Sequence, residues 1–200
     1  MSNVNSPFGF SAIRRIDGGI VGRFGYDYTI ADALAQNIGY GNLVSRTGTG
    51  KNIQNAVDGV AGATIVGVAA GFKWRDAFGN IFYRPNWVSG TVTFNNEGGQ
   101  VVVIDDPKVV FLAQMSGDFQ AADSGQFAGL VLAAPNALGV SQWQVNSSDI
   151  TGTLDSVKIL GLSNPPRAQA SSGRNDYGTN AKVEVLLAFH EYGDGTLRAS

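Results

Sequence analysis

Glycine interrupts this chain too often for long helices to form. Glycine accounts for 27 of the 200 residues, nearly double the usual share of about 7%. Between the glycines lie short apolar runs: GATIVGVAAGF (62–72), VSGTVTFNNEGGQVVVIDDPKVVFLAQ (88–114), FAGLVLAAP (127–135) and AKVEVLLAFHEY (181–192). Val88, Gly90, Val92 and Phe94 alternate with Ser89, Thr91 and Thr93, a period of two that puts one face in a core and the other in water. Asn95 to Gly99 supply turn residues and Val101 to Ile104 return, so residues 88–105 are expected to form a hairpin. Asp105-Asp106-Pro107 ends its second strand, because proline offers no N–H to a ladder. Val183, Val185, Leu187 and Phe189 alternate in the same way and mark a last long strand. The one helical candidate is TIADALAQNI (29–38), where Ile30, Ala33, Leu34 and Ile38 share a face and Thr29 with Asp32 imitates a capping box.

Many short strands with frequent turns predict an all-β fold, a single β-barrel or a jelly-roll-like sandwich over residues 16–200, preceded by an extended N-terminal arm over 1–15. With 44% hydrophobic and 15% charged residues, the chain reads as one globular domain. The net charge of -2, with no basic run longer than Arg14-Arg15, speaks against a nucleic-acid partner. No apolar stretch approaches the roughly 18 residues of a membrane span, so no membrane partner is expected. The N-terminus lacks the layout of a secretory signal, which points to synthesis and retention in a cytoplasm. Without cysteine there is no disulfide, thiol nucleophile or thiolate metal site.

The chemical motifs are weak. SRTGTGKNI (45–53) imitates a phosphate-binding loop, but Ser45 stands where the first glycine is required and Asn52 where a Ser or Thr must follow the lysine, so a glycine-rich hairpin tip is the better reading. His190 is the only histidine and reads as a strand-face imidazole beside Glu191. Asp105 and Asp106 are neighbours that a strand would point to opposite faces, and Asp118 and Asp123 match no calcium loop. No catalytic residue, cofactor site or metal site is expected.

What remains are two aromatic segments. GFKWRDAFGNIFYRPNW (71–87) interleaves its rings with Lys73, Arg75 and Arg84, and reads as a hairpin with Asp76 to Asn80 at its tip. Trp74, Phe82 and Trp87 suit a core, whereas Phe78 and Tyr83 suit an interface. In the second segment, Pro7-Phe8-Gly9-Phe10 places two rings near a free end, followed by Arg14 and Arg15. Either this arm leaves the body, its rings filling pockets and its arginines pairing with carboxylates of another chain, or Phe8 and Phe10 plug the protein's own barrel. In a rival reading Trp74, Tyr83 and Trp87 form a platform for carbohydrate binding or host adhesion, with Asp76 and Asn86 as hydrogen-bonding partners.

The opening NSPFGFSAIRRIDGG, then IVGVAAGFKWRDAFGNIFYRPNWVSGT (65–91), VVVIDDPKVVFLAQMSGDFQAADSGQFAG (101–129) and VKILGLSNPPRAQASSGRNDYGTNAKVEVLLAFHEY (157–192) resemble, in order along nearly the whole chain, the structural cement proteins of tailed bacteriophage heads. The resemblance implies a β-barrel-type body without enzymatic activity, located on the outer surface of the virion capsid, where it locks neighbouring major capsid subunits. It also implies self-association, with a trimer as first choice and a dimer as second. The expected capsid or self contacts are Pro7, Phe8, Gly9, Phe10, Arg14, Arg15, Phe78, Tyr83, Arg167 and Arg174, the last two in the polar loop 164–180.

Overall fold

A computed structural model describes residues 3–22, 27–48, 50–58, 65–163 and 175–192. Its strands are β1 (Ser11–Arg15), β2 (Tyr28–Ile30), β3 (Leu43–Arg46), β4 (Ile53–Asn55), β5 (Gly67–Arg75), β6 (Ile81–Arg84), β7 (Gly99–Ile104), β8 (Val109–Gln114), β9 (Phe127–Val131), β10 (Gln144–Thr151), β11 (Val157–Leu162) and β12 (Lys182–Leu187). They form two six-stranded sheets whose strand pairs are all antiparallel. The first runs β1-β8-β12-β11-β9-β10; the second runs β2-β7-β5-β3-β4, with β6 on the far half of β5. The fold is therefore an all-β sandwich, and of the two expected architectures the closed barrel is not formed.

The main core joins Phe111, Val145, Ile159, Val183 and Val185 of the first sheet to Leu43, Val68 and Ile104 of the second. A smaller core lies on the second sheet's other face, where Phe72, Val101 and Val103 meet Ile30, Ile38 and Trp87. One irregularity in β5 divides the work. Its register with β7 shifts between Ala69 and Gly71, as a bulge does when it re-aims the following side chains. Val68 thus faces the main core, whereas Phe72 and Trp74 face the smaller one.

Three local expectations are corrected. Residues 29–38 are not helical: Thr29 lies in β2, and Ala33 takes a left-handed φ of 53°. Asp32 caps no helix, since its carboxylate accepts the N–H and hydroxyl of Thr93 at 2.6 and 2.8 Å. That bond also explains why residues 88–94 are not a strand. Their backbone is held by the 31–34 segment, with Ala33 N–H donating to Thr91 and Gly90 N–H to Leu34, and Val88 and Val92 face solvent. In place of the expected 88–105 hairpin, β7 pairs with β5 and β2. The third correction concerns the last strand, where alternation fails because Leu186 is buried along with Val185 and Leu187, as suits a strand in the middle of a sheet. By contrast, the hairpins β3–β4 and β5–β6 and the strand stop at Asp105 stand as expected.

Candidate interface surfaces

The N-terminal segment lies on the body and does not leave it. Asn3 bonds the backbone of Asp176 and Thr179, Ser6 N–H donates to Gln114, and Gln114 Nε2 donates to the Val4 carbonyl. Gln142 Nε2 donates to the Pro7 carbonyl, and Phe10 N–H to Gly41 at 2.9 Å. Gly9 makes this approach feasible: its φ is +71°, and a Cβ there would sit 2.5 Å from the Gly41 oxygen and from Ser141 Cβ. Phe10, 1% exposed, belongs to the main core. Phe8 is half-buried, with the Lys182 ammonium 5.8 Å from its ring centroid. Ser11 to Arg15 then become β1 along β8. Arg14 pairs with Glu184 at 2.6 Å, and Arg15 with Asp17 and Asp106 at 2.9 and 3.2 Å. An arm swung out over another chain is thus corrected to a strap. Its extended backbone needs partners, and its own body supplies them.

The β5–β6 hairpin is the opposite case. Its tip closes on Asp76, whose carboxylate accepts the N–H groups of Phe78 and Asn80 at 2.9 and 2.8 Å. Those bonds, together with the Asn80 side chain, hold the carboxyl below the usual aspartate range. Phe78 is 89% exposed, Tyr83 64% and Ile81 54%. Thr29, Gln100, Lys73 and Tyr83 form one row across β2, β7, β5 and β6. Lys73 and Gln100, with Arg75, Ile81 and Glu97, line a groove of about 490 Å³. The Lys73 ammonium lies 5.7 Å from the Tyr83 ring centroid, and the Arg84 guanidinium 5.6 Å from that of Phe82. On the other face Trp74 is half-buried, stacked on Phe82 and edge-on to a fully buried Trp87. Trp74, Tyr83 and Trp87 therefore make no shared exposed platform. Arg167 and Arg174, with residues 164–174 of the polar loop, lie outside the described residues.

The four aspartates singled out in the sequence each accept a hydrogen bond. Asp105 accepts the Tyr28 hydroxyl, Asp106 the Lys108 N–H, Asp118 the Thr179 hydroxyl and Asp123 the Gln120 N–H. Among the described residues no group of three or more His, Asp or Glu is arranged to hold a metal ion.

Sequence reasoning missed a polar cluster around His190. Tyr28 bonds both Asp105 and Tyr192, Arg46 donates to the Tyr192 hydroxyl, and Arg46 Nε pairs with Glu191 at 2.9 Å. Burial pushes the Tyr28 hydroxyl's pKa up and the His190 imidazole down to about 4. The ring lies outside the named strands: residues 189–191 bond Ile65, His190 Nδ1 accepts the Tyr192 N–H, and Nε2 is buried with no hydrogen-bonding partner among the described residues. The members come from four distant stretches, so no local pattern announced them. Comparison with family models, curated proteins and solved structures gave no match.

Proposed function

We propose that this chain is a decoration protein of a bacteriophage head, binding the outer surface of the capsid and bridging neighbouring major capsid subunits. The observation that carries the reading is the β5–β6 hairpin, which presents Phe78, Ile81 and Tyr83 to solvent beside Lys73, Arg75 and Arg84. Aromatic side chains flanked by arginine are what protein interfaces enrich. The ordered resemblance along the chain names the partner class. The role is structural and non-catalytic, and needs no cofactor. A bridge that binds only the intact lattice stabilises that lattice by mass action, and so opposes the outward pressure of packed DNA. Copies gather at local symmetry axes, as a trimer first and a dimer second.

The test mixes purified protein with undecorated heads of the encoding phage. Cosedimentation and a higher temperature of DNA release are expected; Phe78→Ser is expected to reduce occupancy at least tenfold and with it the gain in release temperature. Heads that neither bind the protein nor gain heat resistance would sink the reading.

A further inference from the structure

Residues 33–45, 85–96 and 124–148 carry no charged side chain, although 15% of the chain is charged. The fold brings parts of all three stretches together. Ile38 and Trp87 exchange backbone bonds at 3.0 and 2.8 Å, Tyr40 N–H donates to the Gly139 carbonyl, Ser141 N–H donates to that of Tyr40, and Ser89 N–H donates to the Asn37 side chain. Glycine permits the closest approaches: a Cβ on Gly39 would sit 2.9 Å from Pro135, and one on Gly139, whose φ is +76°, 2.6 Å from Asn86. These backbone groups are spent on one another, so what the junction offers a partner is side chains. Tyr40, Val88 and Leu138, one on each stretch, are 39%, 50% and 77% exposed.

Depletion of charge beside exposed aromatic and aliphatic groups marks the core of a protein interface, and interfaces between identical chains are the more apolar kind. Charge also chooses between occupants. Where copies of one chain meet about a symmetry axis, a charge near the axis meets its own kind. The exposed Arg75 and Arg84 of the hairpin would incur that repulsion, whereas these stretches have no charge to repel. A partner recognised through its carboxylates, which the hairpin's cations suit, would find no counter-charge here. We propose that the junction of residues 37–40, 86–89 and 135–140 is the contact surface for a second copy of this chain, so that self-association and capsid binding use different faces. The inference rests on the reading above for the association of copies, and assigns its place. Because the loops beneath Leu138 are already bonded to one another, contact costs little further ordering.

Leu138→Glu and Val88→Glu each set a carboxylate on this face, at positions exposed enough for folding to be indifferent. Sedimentation of the free chain is expected to show concentration-dependent association, which each variant weakens roughly tenfold or more at an unchanged melting temperature. Mixing Leu138→Glu with Leu138→Lys chains should restore more association than either shows alone, a rescue that damage to the fold would not give. Phe78→Ser should associate as the unaltered chain does while losing heads. An unaltered chain that stays monomeric up to about 1 mM, or one that associates equally well with both carboxylates in place, overturns the assignment; if that chain cosediments with heads, decoration stands. A chain that associates through Leu138 and ignores heads gives the reverse result, in which this contact stands and decoration falls. If the free chain is monomeric and Leu138→Glu lowers occupancy on heads, the occupant is a capsid subunit and the proposal is overturned.

Discussion

Residues 3–15 and the β5–β6 hairpin are both aromatic, both contain glycine and both carry two or more basic residues, yet Phe10 is 1% exposed and Phe78 89%. The difference lies in how each segment satisfies its backbone. The hairpin closes its own ladder, and Asp76 satisfies the N–H groups of its tip, so it can project without help. The N-terminal segment is a single extended strand that cannot bond to itself, and it finds Gly41, Gln114, Gln142 and β8. Aromatic content near a chain end therefore says little about exposure. Whether the strand has a partner of its own says much more.

The sharpest way to break this contrast is to remove the strap. Phe10→Ala should destabilise the free protein by about 3–5 kcal/mol, the range for emptying a buried aromatic site, and lower the melting temperature by on the order of 10 °C. Deleting residues 2–10 should do more. A melting curve indifferent to that deletion would mean that the segment does not brace the body. The same deletion leaves the exposed hairpin untouched, so if the hairpin is the interface, head binding should survive below the new melting point.

The other end of the chain offers a control, since it is tied down by polar groups. His190 is buried and neutral, with its pKa pushed down from 6.5 to about 4. Between those two values the unfolded chain binds a proton that the folded chain refuses, so stability falls as pH drops through this window and is complete above it. The full loss is about 3 kcal/mol at 1.36 kcal/mol per pH unit. Urea unfolding at pH 7 and pH 5 should show the slope, and His190→Asn should flatten it. An equal slope in both proteins would remove His190 from the account.

Gly9→Ala comes next, at about 1–3 kcal/mol for a side chain forced into left-handed backbone. Its Cβ would also sit 2.5 Å from the Gly41 oxygen. Thermal melting reads this directly, and a change under 0.5 kcal/mol, the size usual for a plain surface substitution, would show that the strap is loosely seated.

The all-β class, the two hairpins and the stop at Asp105 were legible because turn residues and period-two runs are local signals. The helix expected over 29–38 failed because Ile30 and Ile38 face the smaller core from a strand and a loop. A helical spacing of apolar residues is satisfied by that arrangement too. Position 88–94 failed for a related reason: alternation identifies a strand only where a neighbour accepts its ladder, and Asp32 had already taken Thr93. On the β5–β6 hairpin, exposure of Phe78 and Tyr83 followed from a self-contained ladder. The fate of Phe10 depended on Gly41 and Ser141, which lie far along the chain.

The smallest stability effects test the other half of the contrast. Phe78→Ser should change the folding free energy by no more than about 0.5 kcal/mol, as for surface positions generally, because the ring is 89% exposed. Arg14→Ala should stay within about 1 kcal/mol, since its bond to Glu184 is a surface ion pair. If the hairpin is an interface, these two near-silent changes must separate on heads: Phe78→Ser loses occupancy, whereas Arg14→Ala, whose guanidinium is committed to its own sheet, keeps it. Equal loss in both would place β1 in the contact as well. The strap would then have an outer face that binds while its inner face holds Phe10 in the core.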